Sequence, residues 1–367
     1  MAEETRKRKA EHISISLKHN VQAREVTTGF EDAIFIHKAL PEIDRQQIDL
    51  STTVFGHKFA APLIAGAITG GTHGARKINA TIAEVVEELG LGMGVGSQRA
   101  ALEDRKLQES FAVARKKAPT AFLIANIGGV QLVNGYGLRE VEKAMKMIEA
   151  DALAIHLNAL QETAQPEGQT NFAGILEKVG QIAEELDKPI IVKETGAGVA
   201  AEEAKKLEAA GAKGIDVSGA GGTSWAAVEY YRARELQDAF RRRLGDLFWD
   251  WGIPTAVSIV EVSQSVSIPV IASGGVRNGV DVAKALALGS SLTSLSQPVL
   301  LAAVRGVQET RDLLSFLMDE LRNVMFLVGA KSIEALCKAP VVMVGKTSEW
   351  LRTRGFDVES YARRGGN

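Results

Sequence analysis

Residues 152–162 read ALAIHLNALQE. The first four are apolar without a break, the pattern of a strand buried on both faces. His156, Asn158, Gln161 and Glu162 then follow within seven residues. A buried strand that runs out into a polar cluster is the repeating unit of a parallel α/β fold, where chemistry gathers at the C-terminal ends of the strands.

Seven other stretches repeat the device: 61–71, 90–99, 120–129, 188–196, 212–222, 268–279 and 289–298. Helical patterns separate them. In GARKINATIAEVVEELG (74–90), Ile78, Ile82, Val85 and Leu89 share one helical face, and Gly90 supplies a C-terminal stop. Gly211 and Gly289 close later helices in the same way. Eight strand–helix units predict a closed (β/α)8 TIM barrel in the α/β class, rather than an open sheet. Three segments fall outside the repeat: an N-terminal arm and entry segment (1–60), an insertion after strand six (219–255) and a C-terminal helical extension (299–367). No low-complexity linker interrupts them, so one domain over 1–367 is expected.

Composition narrows the function classes. Of 367 residues, 46% are hydrophobic and 24% charged, and the net charge is -2. That balance gives no field for nucleic acid or an anionic membrane surface. No apolar run is long enough to span a bilayer, and the first residues lack a signal-peptide pattern. Cys337 is the only cysteine, which excludes an internal disulfide and thiolate metal clusters and fits a reducing cytoplasm.

The strand ends share a polar rim. Strand one ends in Thr69-Gly70-Gly71, strand two in Ser97-Gln98-Arg99, strand three in Asn126 and strand five in Lys193-Glu194-Thr195. Strand six ends in Ser218 before GAGGT, and strand seven in Ser273-Gly274-Gly275 with Arg277. The glycines either make tight turns or let backbone N–H groups approach a phosphate at helix N-termini. Lys193 is a cation at the mouth, suited to an anionic ring or oxyanion. His156 is a hydrogen-bonded structural residue or a catalyst. Glu162 either meets a helix dipole or binds Mg2+, which needs few protein carboxylates beside a phosphate. The basic run Arg6-Lys7-Arg8-Lys9 reads three ways: a solvated tail, a nucleic-acid signal or an arm over an anionic substrate.

Together, RKAEHI, TGFED, AITGG, GVGSQRA, HLNALQE, VKETGAG, DVSGAGGTSW, FWDWGIPT, IASGGVRNG and EWLRTRGFDVESYARR occur in this order. The sequence resembles the flavin-dependent type 2 isopentenyl diphosphate isomerases in their archaeal form, over almost the whole chain. The resemblance implies a 1,3-allylic shift of isopentenyl diphosphate to dimethylallyl diphosphate in isoprenoid biosynthesis, with reduced FMN, Mg2+ and NADPH as reductant. It implies FMN against Ala67, Ile68 and Thr69, with Ser97, Asn126 and Lys193 nearby. It places the ribityl phosphate at Ser218, Thr223, Gly275, Val276 and Arg277, joined by Ser296 and Gln297. Substrate would meet Arg8, Lys9, His12, Ser97, Gln98, Arg99, His156, Asn158 and Gln161, with Glu162 on Mg2+. Gln161, Glu162, His156 and Lys193 are the implied catalytic set, and the implied assembly is a homotetramer. A lid role for the arm and the insertion follows from the need to keep water from a carbocation.

Two features depart from the family. Ser294 and Ser296 stand where Gly and Ala are usual, and Gln297 where an apolar residue is usual; the serines either add donors to the phosphate or crowd it. Ile68 replaces a common Met. An FMN-dependent 2-hydroxy-acid oxidase is the alternative enzyme, but it resembles SNHG after strand six, and none of the six histidines here lies beyond His156. A non-catalytic flavin- or RNA-binding protein is disfavoured by the near-neutral charge and the polar rim.

Overall fold

The computed structural model describes residues 2–365; the side chains of residues 2–6 and 73, Arg6 among them, lie outside the described residues. Eight parallel strands close into a barrel: β1 (Leu63–Ala65), β2 (Gly92–Gly94), β3 (Phe122–Gly128), β4 (Ala152–His156), β5 (Ile190–Lys193), β6 (Gly214–Asp216), β7 (Val270–Ala272) and β8 (Leu292–Leu295). All eight lie within the predicted stretches. The predicted helix after β1 is His73–Leu89, with the Thr72 hydroxyl accepting from the Ala75 N–H at 3.1 Å and Gly90 left-handed at φ 64°.

Alternate side chains on each strand enter the barrel. Ile64, Phe122, Ile124, Ala152, Ala154, Ile191, Ile271 and Leu292 pack there in one buried cluster with Val54 and Phe59. The last two come from a hairpin, Thr52–Val54 with His57–Phe59, that plugs the bottom. Phe55 stacks on Phe122 with ring centroids 5.9 Å apart. Two residues further along the inward faces come Asn126, His156, Lys193, Asp216, Ser273 and Ser294. The interior is therefore apolar below and polar at the C-terminal rim.

The segments outside the repeat differ in part from expectation. Residues 2–18 form one helix, Ala2–Lys18; Arg8 and Lys9 on it line the cavity mouth and are not a solvated tail, whereas Lys7 points to solvent. The insertion folds as a pair of packed helices, Trp225–Glu235 and Ala239–Leu247. The C-terminal extension holds the expected helices and one strand that was not expected, Val341–Met343, which pairs antiparallel with Ala33–Phe35. Both strands are three residues long, too short for a periodic signal.

One buried carboxylate ties the extension to the barrel. Glu261, on the helix Thr255–Ser263, accepts from the Trp350 indole at 3.0 Å, from Arg354 at 3.0 and 3.1 Å and from the Ala201 N–H at 3.2 Å. Burial pushes its pKa up, but these donors hold it below the usual carboxylate range. Glu261→Ala is expected to lose about 2–4 kcal/mol in urea unfolding, because buried donors are left without an acceptor. A depressed folded pKa gives stability that is present above the ordinary carboxylate value and lost on acidification through the folded value. The gap between wild type and Glu261→Ala should therefore narrow in acid.

Candidate active site

The rim encloses a cavity of about 230 Å3. The helix Ala2–Lys18 lies over it and contributes Arg8, Lys9, His12, Ile13 and Ser16, spaced as one helical face. Arg99, Gln131, His156, Gln161, Glu162 and Lys193 line the β2–β5 side. Ser218, Thr223, Gly275, Val276, Arg277, Ser296 and Gln297 line the β6–β8 side, with Ala67, Ile68, Thr69, Ser97 and Asn126 between.

Neighbouring strands set the polar layer in register: His156 pairs with Lys193, and Lys193 with Asp216. The Asn126 amide donates to Val95 O at 3.1 Å, which turns its oxygen toward His156 Nδ1 at 2.7 Å. An oxygen acceptor there requires the proton on Nδ1 and leaves Nε2 as the acceptor. Burial, then the charges of Lys193, Lys9 and Arg8, lowers the His156 pKa to about 3, so the ring is neutral at physiological pH. Lys193 Nζ lies 3.7 Å from Asp216 and donates to Glu194 O at 2.7 Å. The Ser273 hydroxyl donates to Asp216.

The tail of 152–162 separates by role. A short helix, Ala159–Ala164, starts at Asn158. The Asn158 amide donates to Glu162 at 2.9 Å and to Gln161 at 3.2 Å, while its own oxygen is buried without a hydrogen-bond partner. Glu162 also accepts from the Gln169 N–H at 2.7 Å. Asn158 thus sits behind the cavity wall and supports residues that line it.

Gln98 is a correction. It is fully buried, its oxygen accepts from the Asn126 N–H at 2.9 Å, and its nitrogen donates to Ala144 O at 2.8 Å. Its side chain is spent on joining β2 to β3 and does not line the cavity. The other sequence-selected side chains, Asn158 apart, border the cavity.

Several lining residues, Ile13, Ser16 and Gln131 among them, were not singled out from the sequence, and of the residues missed three matter most to the chemistry of the site. Glu229, on the insertion, is fully buried, 2.8 Å from His12 and 3.4 Å from the Gln161 amide. Burial alone would raise its pKa; His12 and Arg232 hold it below the usual range. Trp225 lines the cavity and meets His12 edge-on at 5.1 Å. Asp216 is the third. Its signal was a carboxylate within an apolar strand; Glu229 and Trp225 lie in an insertion without strand periodicity.

The residues 140–342 match the FMN-dependent dehydrogenase family. Over its full length the chain is 49% identical to an isopentenyl-diphosphate delta-isomerase of Methanosarcina barkeri, covering 99% of that protein. It is 48% identical to one of Pyrococcus furiosus, over 97% of this chain and 91% of the relative. The chain belongs to the isopentenyl-diphosphate delta-isomerase family. In fold it is similar to a lactate oxidase of Pediococcus acidilactici (TM-score 0.65, 20% identical, 94% of each chain). It is also similar to mandelate oxidase (TM-score 0.62, 19% identical, 94% of this chain and 99% of that one). Among the described residues no helix is long and apolar enough to cross a membrane.

The cations Arg8, Lys9 and Arg99 share the cavity, a charge arrangement suited to an anion. Burial, then Arg8 and Arg99, lowers the Lys9 pKa to about 7. Lys9 is therefore largely charged below that pH and must take up a proton to pair with an anion above it. The affinity advantage of wild type over Lys9→Met for inorganic pyrophosphate, measured by calorimetry, should be full near pH 6. It should shrink by up to roughly tenfold per pH unit above 7.

Proposed function

We propose that this chain moves the double bond of isopentenyl diphosphate to give dimethylallyl diphosphate, with reduced FMN and Mg2+ bound. One observation carries the reading: Ser218 and Thr223 after β6, with Gly274 and Gly275 after β7, line the same cavity as the cations Arg8, Lys9 and Arg99 on the β2–β4 side. A flavin phosphate and a substrate diphosphate then have separate anion sites with the polar rim between them.

The residues present fit both groups. A Cβ on Gly222 would lie 2.3 Å from Gly275 N, so only bare backbone forms this cradle. Thr223 and Arg277 add a hydroxyl and a cation beside it. For Mg2+, Glu162 supplies a buried carboxylate, and the unpartnered Asn158 oxygen beside it suits a hard cation or its water.

The reaction must protonate an unactivated alkene and protect the resulting tertiary cation from water. Reduced FMN supplies an electron-rich ring that can exchange a proton and stabilise that charge. Arg8, Lys9 and Arg99 hold the diphosphate. The N-terminal helix and Trp225 cover the cavity and exclude water. Lys193 brings the positive charge that favours an anionic ring. Gln161, held between Asn158 and Glu229, orients the five-carbon chain and is placed to assist proton movement. Neutral His156 acts as a hydrogen-bonding partner rather than as an acid. Reduction by NADPH and assembly as a homotetramer belong to the same reading and rest on the sequence resemblance.

The oxidase alternative lacks its base: the loop after β6, residues 217–224, carries no histidine. The likeness to lactate and mandelate oxidases concerns the barrel alone.

An anaerobic assay with FMN, Mg2+ and NADPH, each omitted in turn, tests the proposal. The complete mixture should interconvert the two five-carbon diphosphates, and omission of FMN or Mg2+ should abolish turnover; no turnover in the complete mixture refutes the reading. Glu162→Gln should weaken activation by Mg2+ by roughly 10–100-fold. Unchanged Mg2+ activation removes the metal assignment. Replacing Arg8 and Lys9 by Ala should raise KM at least about tenfold with a smaller effect on kcat, since ground-state contacts to the diphosphate are lost.

A further inference from the structure

The chain between the N-terminal helix and the barrel is a strap drawn over the glycine cradle. Residue 22 forms an antiparallel bridge with Thr223. The Ala23 N–H donates to Gly222 O and the Ser224 N–H to Val21 O, both at 2.8 Å. The strap is anchored from outside as well. The Trp249 indole donates to Gln22 O at 2.8 Å, and the Asp250 carboxylate accepts from the Arg24 N–H at 2.7 Å. The packing is close enough to forbid side chains beneath it: a Cβ on Gly221 would lie 2.3 Å from Thr28 N, and one on Gly275 2.3 Å from Thr28 Cγ2.

The Gln22 side chain points into the group of residues suited to a phosphate. Its oxygen accepts from Arg277 Nη2 at 2.5 Å. Its nitrogen donates to Gln297 Oε1 at 2.5 Å and approaches the Thr223 hydroxyl at 3.5 Å. Thr223 itself donates to Gln297 at 3.3 Å. One amide therefore joins the loops after β6, β7 and β8, and its donor end competes for the same acceptor as Thr223.

We propose that Gln22 is a further cofactor-site residue: it fixes the Arg277 guanidinium through its oxygen and donates its N–H to the flavin phosphate, so that the strap closes over the phosphate end. The inference rests on the FMN reading above. A phosphate in the cradle offers stronger, charged acceptors than the Gln297 amide. Gln297, polar where the family is usually apolar, then serves as the resting partner of Gln22.

Flavin binding separates the possibilities, because riboflavin has the same ring without the phosphate. Flavin-free wild type, Gln22→Ala and Gln22→Glu are titrated with FMN and with riboflavin by fluorescence quenching, with thermal melts of the flavin-free proteins as a check on folding. Gln22→Ala should raise the FMN Kd roughly tenfold, the loss of a hydrogen bond to a charged group, and change the riboflavin Kd less than about twofold. Gln22→Glu, which keeps the contact to Arg277 but sets a carboxylate beside the phosphate, should weaken FMN more than Gln22→Ala does and again spare riboflavin. An unchanged FMN Kd in both variants overturns the proposal and leaves the FMN reading standing. Equal weakening of FMN and riboflavin also overturns it, since Gln22 would then only support the fold. Wild type that binds neither flavin overturns the FMN reading, and the proposal with it.

Discussion

Everything at the mouth depends on the two-residue alternation of strands inside a closed barrel. A barrel of eight strands has one interior, which side chains must fill. Here the lower layer is filled by Ile124, Ala154, Ile191, Ile271 and Leu292, above the aromatic plug of the bottom hairpin. The same faces, two residues on, must also point inward, and there the chain places Asn126, His156, Lys193, Ser273 and Ser294. Those groups are too enclosed for water to satisfy freely, so they satisfy one another: Asn126 with His156, Lys193 with Asp216, Asp216 with Ser273. Inward direction, neutral His156 and the placing of the Lys193 charge all follow from strand register.

A second constraint is the cost of burying charge above that layer. Arg232, on the insertion, is almost fully buried and pairs with Glu229 at 2.7 Å and with Glu11 and Glu167 at 2.9 Å. His12 takes the other Glu229 oxygen at 2.8 Å, and Arg8 lies 3.7 Å from Glu167. Removing one member strands the others, so a buried network of this kind fixes geometry more surely than it adds stability. What it fixes is the roll of the N-terminal helix, which turns Arg8, Lys9 and His12 toward the cavity. Lys9 has no carboxylate of this network within ion-pair distance, and burial beside Arg8 leaves it close to neutrality at physiological pH. Glu103 acts in the opposite sense but does not offset the burial, and on the reading proposed above a bound diphosphate would add the counter-charge.

The barrel was legible because its signal is local and repeated: continuous apolar runs, amphipathic helices and glycine stops such as Gly90. Most of the rim was legible for the same reason, since a side chain at a strand end has its direction set by the strand. Gln98 shows the limit. It follows Ser97 at the rim, but it lies beyond the end of β2, where alternation no longer holds, and its amide turns back to the β3 backbone. Glu229 and Trp225 were hidden for the opposite reason: their positions come from tertiary packing of the insertion against the N-terminal helix, which no local period encodes. The pairing of Ala33–Phe35 with Val341–Met343 joins segments about three hundred residues apart, and three-residue strands carry no pattern to announce it.

The strand-eight departures make sense only beside the N-terminal strap. Ser294 stands inside the barrel in the polar layer, while Ser296 is exposed at the rim. A Cβ on Gly66 would lie 2.4 Å from the Ser296 hydroxyl and 2.6 Å from that of Ser294, so the residue that follows β1 accommodates both serines by having no side chain. Gln297 is not turned outward, as a polar replacement at an apolar position would be if it merely sought solvent. It is held by Thr223 and Gln22 and donates to Ser16 O at 3.4 Å. Substitutions that look unfavourable for an anion cradle when read along one strand are thus matched by glycine on a neighbouring strand and by an amide from the arm. The matching crosses the barrel seam between its last and first strands, and so couples the β6–β8 end of the cavity to the helix that carries Arg8 and Lys9.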